Sequence, residues 1–202
     1  AQPAGAWTVS QVIQKSSKVG AAKIALSLPA EKLWDMFSHV GFGAQPHSGF
    51  PGEVSGKLRA YASWRPIEQA TMSYGHGISL SLLQLARAYL VFASDGEIKP
   101  VTVVKLDAPA VSTRVISAET AAQVRKMLEL VVQPGGTAPR AQITGYRVAG
   151  TTGTAHKLDG ATYAAHKYVS SFIGFAPASA PRLIVAVMLD EPLGADKLQV
   201  LN

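Results

Sequence analysis

The strongest constraint on the fold is a change of hydropathy period along the chain. Up to about residue 145 the apolar residues recur at helical steps, and from residue 146 they gather in short β-rich runs bounded by turn residues. Helices first and strands afterwards, with no repeat at any period, favour an α+β arrangement over a doubly wound sheet.

The spacing predicts two helices over 8–28, joined at the polar knot Lys15-Ser16-Ser17-Lys18, and a third from about Pro29 to Val40. The Gly-, Pro- and Ser-rich stretch from Gly41 to Arg65 reads as a long surface loop. From Ser79 an apolar face of Leu82, Leu83, Leu85, Ala86, Tyr89 and Leu90 predicts one helix ended by the turn pair Asp95-Gly96. Short extended segments are expected at Val101 to Leu106 and Arg114 to Ile116. A helix capped by Ser117 follows, with Val124, Met127, Leu128 and Val131 on one side. Runs at Tyr146 to Gly150, Tyr168 to Ala176 and Arg182 to Leu189 predict a three-stranded antiparallel meander. Trp34, Phe37, Tyr89 and Phe92 fall on apolar helical faces and read as core, whereas Phe50 and Trp64 belong to the loop region.

Composition narrows the function classes. The 202 residues are 48% hydrophobic and 16% charged, enough for a sizeable core and too apolar for disorder. The net charge of +6 comes from scattered cations without an aromatic-basic stripe, so no nucleic acid is expected. Without cysteine there is no thiolate nucleophile and no thiolate-held metal, and the five histidines lack metal-ligand spacing. No metal or cofactor is expected. The longest apolar runs fall well short of a membrane span.

Two clusters carry candidate chemistry. Gly150-Thr151-Thr152-Gly153-Thr154 lacks the Gly-Lys-Ser/Thr of a phosphate loop and reads as a strand end or strand edge where a ligand backbone could approach. Lys15-Ser16-Ser17-Lys18 puts two hydroxyls and two ammonium groups at a helix junction. Taken alone, each cluster reads first as an ordinary strand-end turn or helix cap, ahead of a functional site.

Their flanks carry a resemblance. Gln14-Lys15-Ser16-Ser17-Lys18-Val19-Gly20, His47-Ser48-Gly49-Phe50-Pro51-Gly52-Glu53 and Trp64-Arg65-Pro66-Ile67-Glu68-Gln69-Ala70-Thr71-Met72-Ser73-Tyr74-Gly75-His76-Gly77 come in order, followed by Leu82 to Tyr89 and Phe172 to Ala178. Over residues 8–192 the chain resembles the transpeptidase domain of class B penicillin-binding proteins, of the cell-division, FtsI-like type.

The resemblance implies a β-lactamase-like α+β fold with a helical subdomain and an antiparallel sheet flanked by helices. It implies a serine D,D-transpeptidase that cross-links peptidoglycan stem peptides at the septum through an acyl-enzyme and is acylated by β-lactams. It further implies divisome partners and a periplasmic location, with an inner-membrane anchor in the full-length parent. The family motifs read Ser-x-x-Lys, Ser-x-Asn and Lys-Thr-Gly. No Ser in this sequence has Lys three positions later, so the nucleophile motif is outside it and the chain alone is expected to be inactive. Ser16-Ser17-Lys18 occupies the Ser-x-Asn position with Lys18 in place of Asn. Thr151-Thr152-Gly153-Thr154 occupies the Lys-Thr-Gly-Thr position with Thr151 in place of Lys. By resemblance Ser16 relays a proton, Thr152 and Thr154 hold the substrate carboxylate, Gly153 permits close approach, and the Thr154 amide stabilises the oxyanion.

Residues 1–202 are thus expected to be a partial transpeptidase domain, mainly helical over 8–145 and sheet over 146–192. The nucleophile helix and two strands would precede residue 1 and a helix would follow residue 202. The absent Met and the uncapped Lys197 to Asn202 agree with a fragment. Two alternatives stay open. One is a non-catalytic module that binds stem peptides or division partners, the other a β-lactam hydrolase or sensor.

Overall fold

The computed structural model describes residues 5–159 and 162–192; the first and last residues, on which the expectation of a fragment rests, lie outside them. The fold is α+β. In chain order come helices α1 (Val9–Gln14), α2 (Lys18–Leu26), α3 (Ala30–His39), α4 (Pro66–Met72), α5 (Leu82–Ala88) and α6 (Leu90–Ala93), a short ladder of β1 (Glu97–Ile98) with β2 (Thr113–Arg114), helix α7 (Ala118–Val131), and the meander β3 (Ala149–Asp159), β4 (Thr162–Ala176), β5 (Leu183–Asp190). It divides into two compact units, residues 22–124 and residues up to 21 joined with those from 125 onward.

In the 22–124 unit the core gathers Val40, Ala88, Val91 and Ile98, with Phe42, Phe92 and Val115 packed against them. Buried amides organise what surrounds it. Gln69 Nε2 donates to the carbonyls of Ala25 at 2.8 Å and Leu28 at 2.9 Å, at and just past the end of α2. Gln84, 2% exposed, sends its Nε2 to the carbonyls of Ala44 and Ser55, each at 2.8 Å, and Gly41 at 3.3 Å. Its Oε1 accepts the Ser81 N–H while its own N–H goes to Ser81 Oγ, a capping box. One side chain thus starts α5 and pins the long loop. Within that loop the Glu53 carboxylate accepts from the Ser48 N–H at 2.8 Å and from the Ser48 hydroxyl, which holds it below the usual carboxylate range.

Three expectations are corrected here. The helix expected from Ser79 to Asp95 is divided at Tyr89, whose N–H is shared between the carbonyls of Leu85 and Ala86, tightening the turn. The segment Val101 to Leu106 forms no strand. Pro100 has no N–H to offer a ladder, the Val104 N–H is taken by Thr102 Oγ1 at 3.1 Å, and the Val103 N–H by Ser48 O at 3.0 Å. The strand partner of Thr113–Arg114 is Glu97–Ile98 instead, fixed by the Arg114–Glu97 ion pair at 2.7 Å. Helix α4 was not expected. Its start combines Pro66 at the first helical position with Glu68, whose carboxylate accepts the Arg65 N–H at 2.8 Å and meets Arg59 Nη2 at 2.6 Å.

These contacts lower the Glu68 pKa from 4.5 to about 2, the Arg65 amide contributing most and Arg59 next. A depressed folded pKa gives stability that is present above the unfolded value and lost as pH falls through the folded one. Between pH 5 and about 2 the chain should therefore lose stability through Glu68. Urea midpoints of Glu68→Gln should fall less steeply over that window than those of the parent; parallel acid limbs would refute the assignment.

In the other unit Val131, Val132, Ala138 and Val148 form the core, with Ile13 from α1 and Phe172 and Ala176 from β4 against it. As expected, Ser117 caps α7, accepting the Thr120 N–H at 3.1 Å, and the last strands form an antiparallel meander. On β5 the side chains of Leu183, Val185, Val187 and Leu189 alternate and are all exposed, between 42% and 68%. An apolar strand face of this kind should make the isolated chain self-associate. Sedimentation that stays monomeric up to high concentration would count against it.

Candidate active site

Ser16 lies at the turn between α1 and α2 with a φ of 50°, a left-handed conformation costly for a residue other than glycine. The turn is closed by Ser16 N–H to Ile13 O at 3.1 Å and Ser17 N–H to Val12 O at 2.9 Å. Ser17 starts α2 by accepting the Gly20 N–H on Oγ at 3.1 Å. Ser16 is left exposed at the corner, and Lys18 stands on the first turn of α2, also exposed. A cation on the first turn of a helix is opposed by the helix dipole.

Thr151 to Thr154 fall in the body of β3, paired with Ile173 to Ser170 of β4. This corrects the reading of a strand end. Partners across an antiparallel ladder share a face. Thr152, opposite Phe172, therefore lies with Thr154, opposite Ser170, on the face where Phe172 meets the Val131 cluster. Ser170 is 1% exposed and its Oγ has no hydrogen-bond partner among the described residues. A buried hydroxyl left unpaired beside Thr154 is a costly feature unless a ligand or water completes it. A Cβ at Gly153 would meet Ser171 Oγ at 2.7 Å, so a side chain there would make that hydroxyl turn away.

The segment 132–138 ties the two clusters together. Lys15 Nζ donates to Gly135 O at 2.6 Å, and Thr152 Oγ1 donates to Thr137 Oγ1 at 2.9 Å. The Ala138 N–H returns to Val131 O at 2.9 Å, closing the segment on the end of α7. The helix corner with Ser16 and Lys18 and the strand with Thr152 and Thr154 are thereby braced against one loop. Lys15, Gly135 and Thr137 were not singled out from the sequence. Only the Gly-Gly-Thr run before a strand hints at them, and nothing local says which side chains it would meet. The next cation along β3, Lys157, is held by Asp190 at 2.9 Å and Glu191 at 2.8 Å, which raise its pKa, so it is not a spare charge for position 151.

The family model described as the penicillin-binding protein transpeptidase domain matches residues 1–201. The chain belongs to this transpeptidase family. It is 47% identical over 184 residues to the probable peptidoglycan D,D-transpeptidase PenA of Neisseria meningitidis, covering 91% of this chain and 32% of that protein. It is 40% identical over 185 residues to the peptidoglycan D,D-transpeptidase FtsI of Escherichia coli K12, covering 92% of this chain and 32% of that protein. The apo transpeptidase domain of Burkholderia pseudomallei penicillin-binding protein 3 superposes with a TM-score of 0.92 at 51% identity, covering 98% of this chain and 61% of that one. The chain thus spans about a third of the length of these curated relatives. The transpeptidase α+β fold expected from the resemblance is the one observed. Among the described residues no helix is long and apolar enough to cross a membrane.

Proposed function

We propose that this chain is the later part of a serine D,D-transpeptidase that cross-links peptidoglycan stem peptides during septum synthesis in the periplasm. Its parent is anchored in the inner membrane, works with divisome proteins and is acylated by β-lactams. The observation that carries the reading is the bracing of the Ser16 corner and the Thr152–Thr154 strand by one loop, beside an orphaned buried hydroxyl. In this role Thr152 and Thr154 hold the terminal carboxylate of the D-Ala-D-Ala stem. The Thr154 amide donates to the oxyanion, and Ser16 passes a proton between the attacking serine and the leaving group. The attacking Ser comes from a Ser-x-x-Lys motif that this sequence does not contain.

Intact-mass analysis after incubation with a reactive penicillin tests this. The longer product of the same gene should gain one adduct and the 202-residue chain none. An adduct on neither supports the second reading, a non-catalytic stem-peptide binding module, which the replacements at Lys18 and Thr151 favour. Thr137→Val removes the acceptor for the Thr152 hydroxyl and should slow acylation of the longer product by about tenfold, while Thr137→Ser stays close to the parent. Equal rates for all three would exclude this positioning role.

A further inference from the structure

Beside the same loop is a hollow of about 430 Å³ that the transpeptidase chemistry does not use. Val132 and Val148, 1% and 7% exposed, and the more exposed Ile143 provide its apolar lining, and Gln133, Gln142, Thr144 and Tyr146 the rest. Its size suits a small ligand. Among the described residues no charged side chain lines it, although the chain as a whole carries +6. The neighbouring Arg147 is neutralised by Glu129 through two bonds of 2.8 and 3.0 Å.

The lining is held in place. Gln142 Nε2 donates to Val132 O at 2.8 Å. Thr144 and Tyr146 sit on a tight turn closed by Tyr146 N–H to Ile143 O at 3.0 Å. Gly145 takes the left-handed conformation that the turn requires, with φ of 82°. The Tyr146 ring is 61% exposed, and the side chains of Gln133, Thr144 and Tyr146 have no hydrogen-bond partner among the described residues.

An exposed aromatic ring beside neutral amides and hydroxyls matches the surface of an uncharged sugar. The ring packs on the C–H face of a pyranose, while amide and hydroxyl groups pair with ring hydroxyls and an acetamido group. A stem peptide, which carries free carboxylates, would want cations that this lining lacks. We infer that the hollow is a subsite for a neutral N-acetylhexosamine of the glycan strand, next to the stem-peptide cleft. The choice of a glycan rests on the transpeptidase reading, whose substrate is a peptide hung on such a strand.

The test is a titration of the ¹⁵N-labelled chain with the β-1,4-linked tetrasaccharide of N-acetylglucosamine, followed by amide chemical shifts. Shifts confined to residues 132–148 are expected, with a Kd on the order of 1 mM. Tyr146→Ala should weaken binding by about tenfold, and Tyr146→Phe, which keeps the ring, should leave it near the parent value. The absence of shifts over 132–148, or equal binding by Tyr146→Ala, overturns the inference. An acyl-D-Ala-D-Ala peptide titrated in parallel separates the two readings. Shifts at Thr151 to Thr154 with none at 132–148 would sink the sugar subsite alone. Sugar shifts without peptide shifts would leave the subsite standing and count against the transpeptidase role.

Discussion

Replacing Gln84 with leucine should cost the chain about 3–5 kcal/mol, the largest effect of any single substitution outside the apolar core. The side chain is 2% exposed and its amide serves the carbonyls of Ala44 and Ser55 at 2.8 Å and Gly41 at 3.3 Å. Leucine fills much of the space but takes the donor from three partly buried carbonyls, and leaving a buried acceptor unsatisfied costs about 1–3 kcal/mol. The capping bond from the Ser81 N–H is lost as well. Ser81→Ala, which removes only the hydroxyl half of the capping box, should cost about 1 kcal/mol. Chemical denaturation of the three proteins measures both values. A Gln84→Leu loss no greater than that of Ser81→Ala would show that the loop is held by other contacts.

The second large effect concerns the exchange of charge between positions 18 and 151. If the Lys18 ammonium supplies the field that the family places on the strand, Lys18→Asn should slow penicillin acylation of the longer gene product by about a hundredfold. Adding Thr151→Lys should then restore most of the rate. An acylation rate equal to or above the parent's would end the compensation idea and leave a chain whose catalytic site has drifted.

The family was legible because its motifs are local. Trp64-Arg65-Pro66-Ile67-Glu68-Gln69 is a helix start written in order: Pro66 opens α4, Glu68 takes the Arg65 N–H, and Gln69 reaches the end of α2. The candidate residues Ser16, Lys18 and Thr151 to Thr154 were likewise found from short runs. Thr137 and Lys15 were not, because their importance lies in partners 15 and 120 positions away. The apolar pattern around Tyr89 also misled, since it runs unbroken while the backbone tightens beneath it.

By itself the sequence determined the α+β order, the cap at Ser117, the meander of the last strands and the family. All of these depend on period, capping chemistry or turn residues, which act over a few positions. Only the tertiary structure decided which carbonyls Gln69 and Gln84 satisfy, that Val101 to Leu106 forms no strand, that Thr151 to Thr154 lie inside β3, and that one loop braces both candidate clusters. Those outcomes depend on which distant backbone groups lack a partner once the chain is packed, and no local pattern records that.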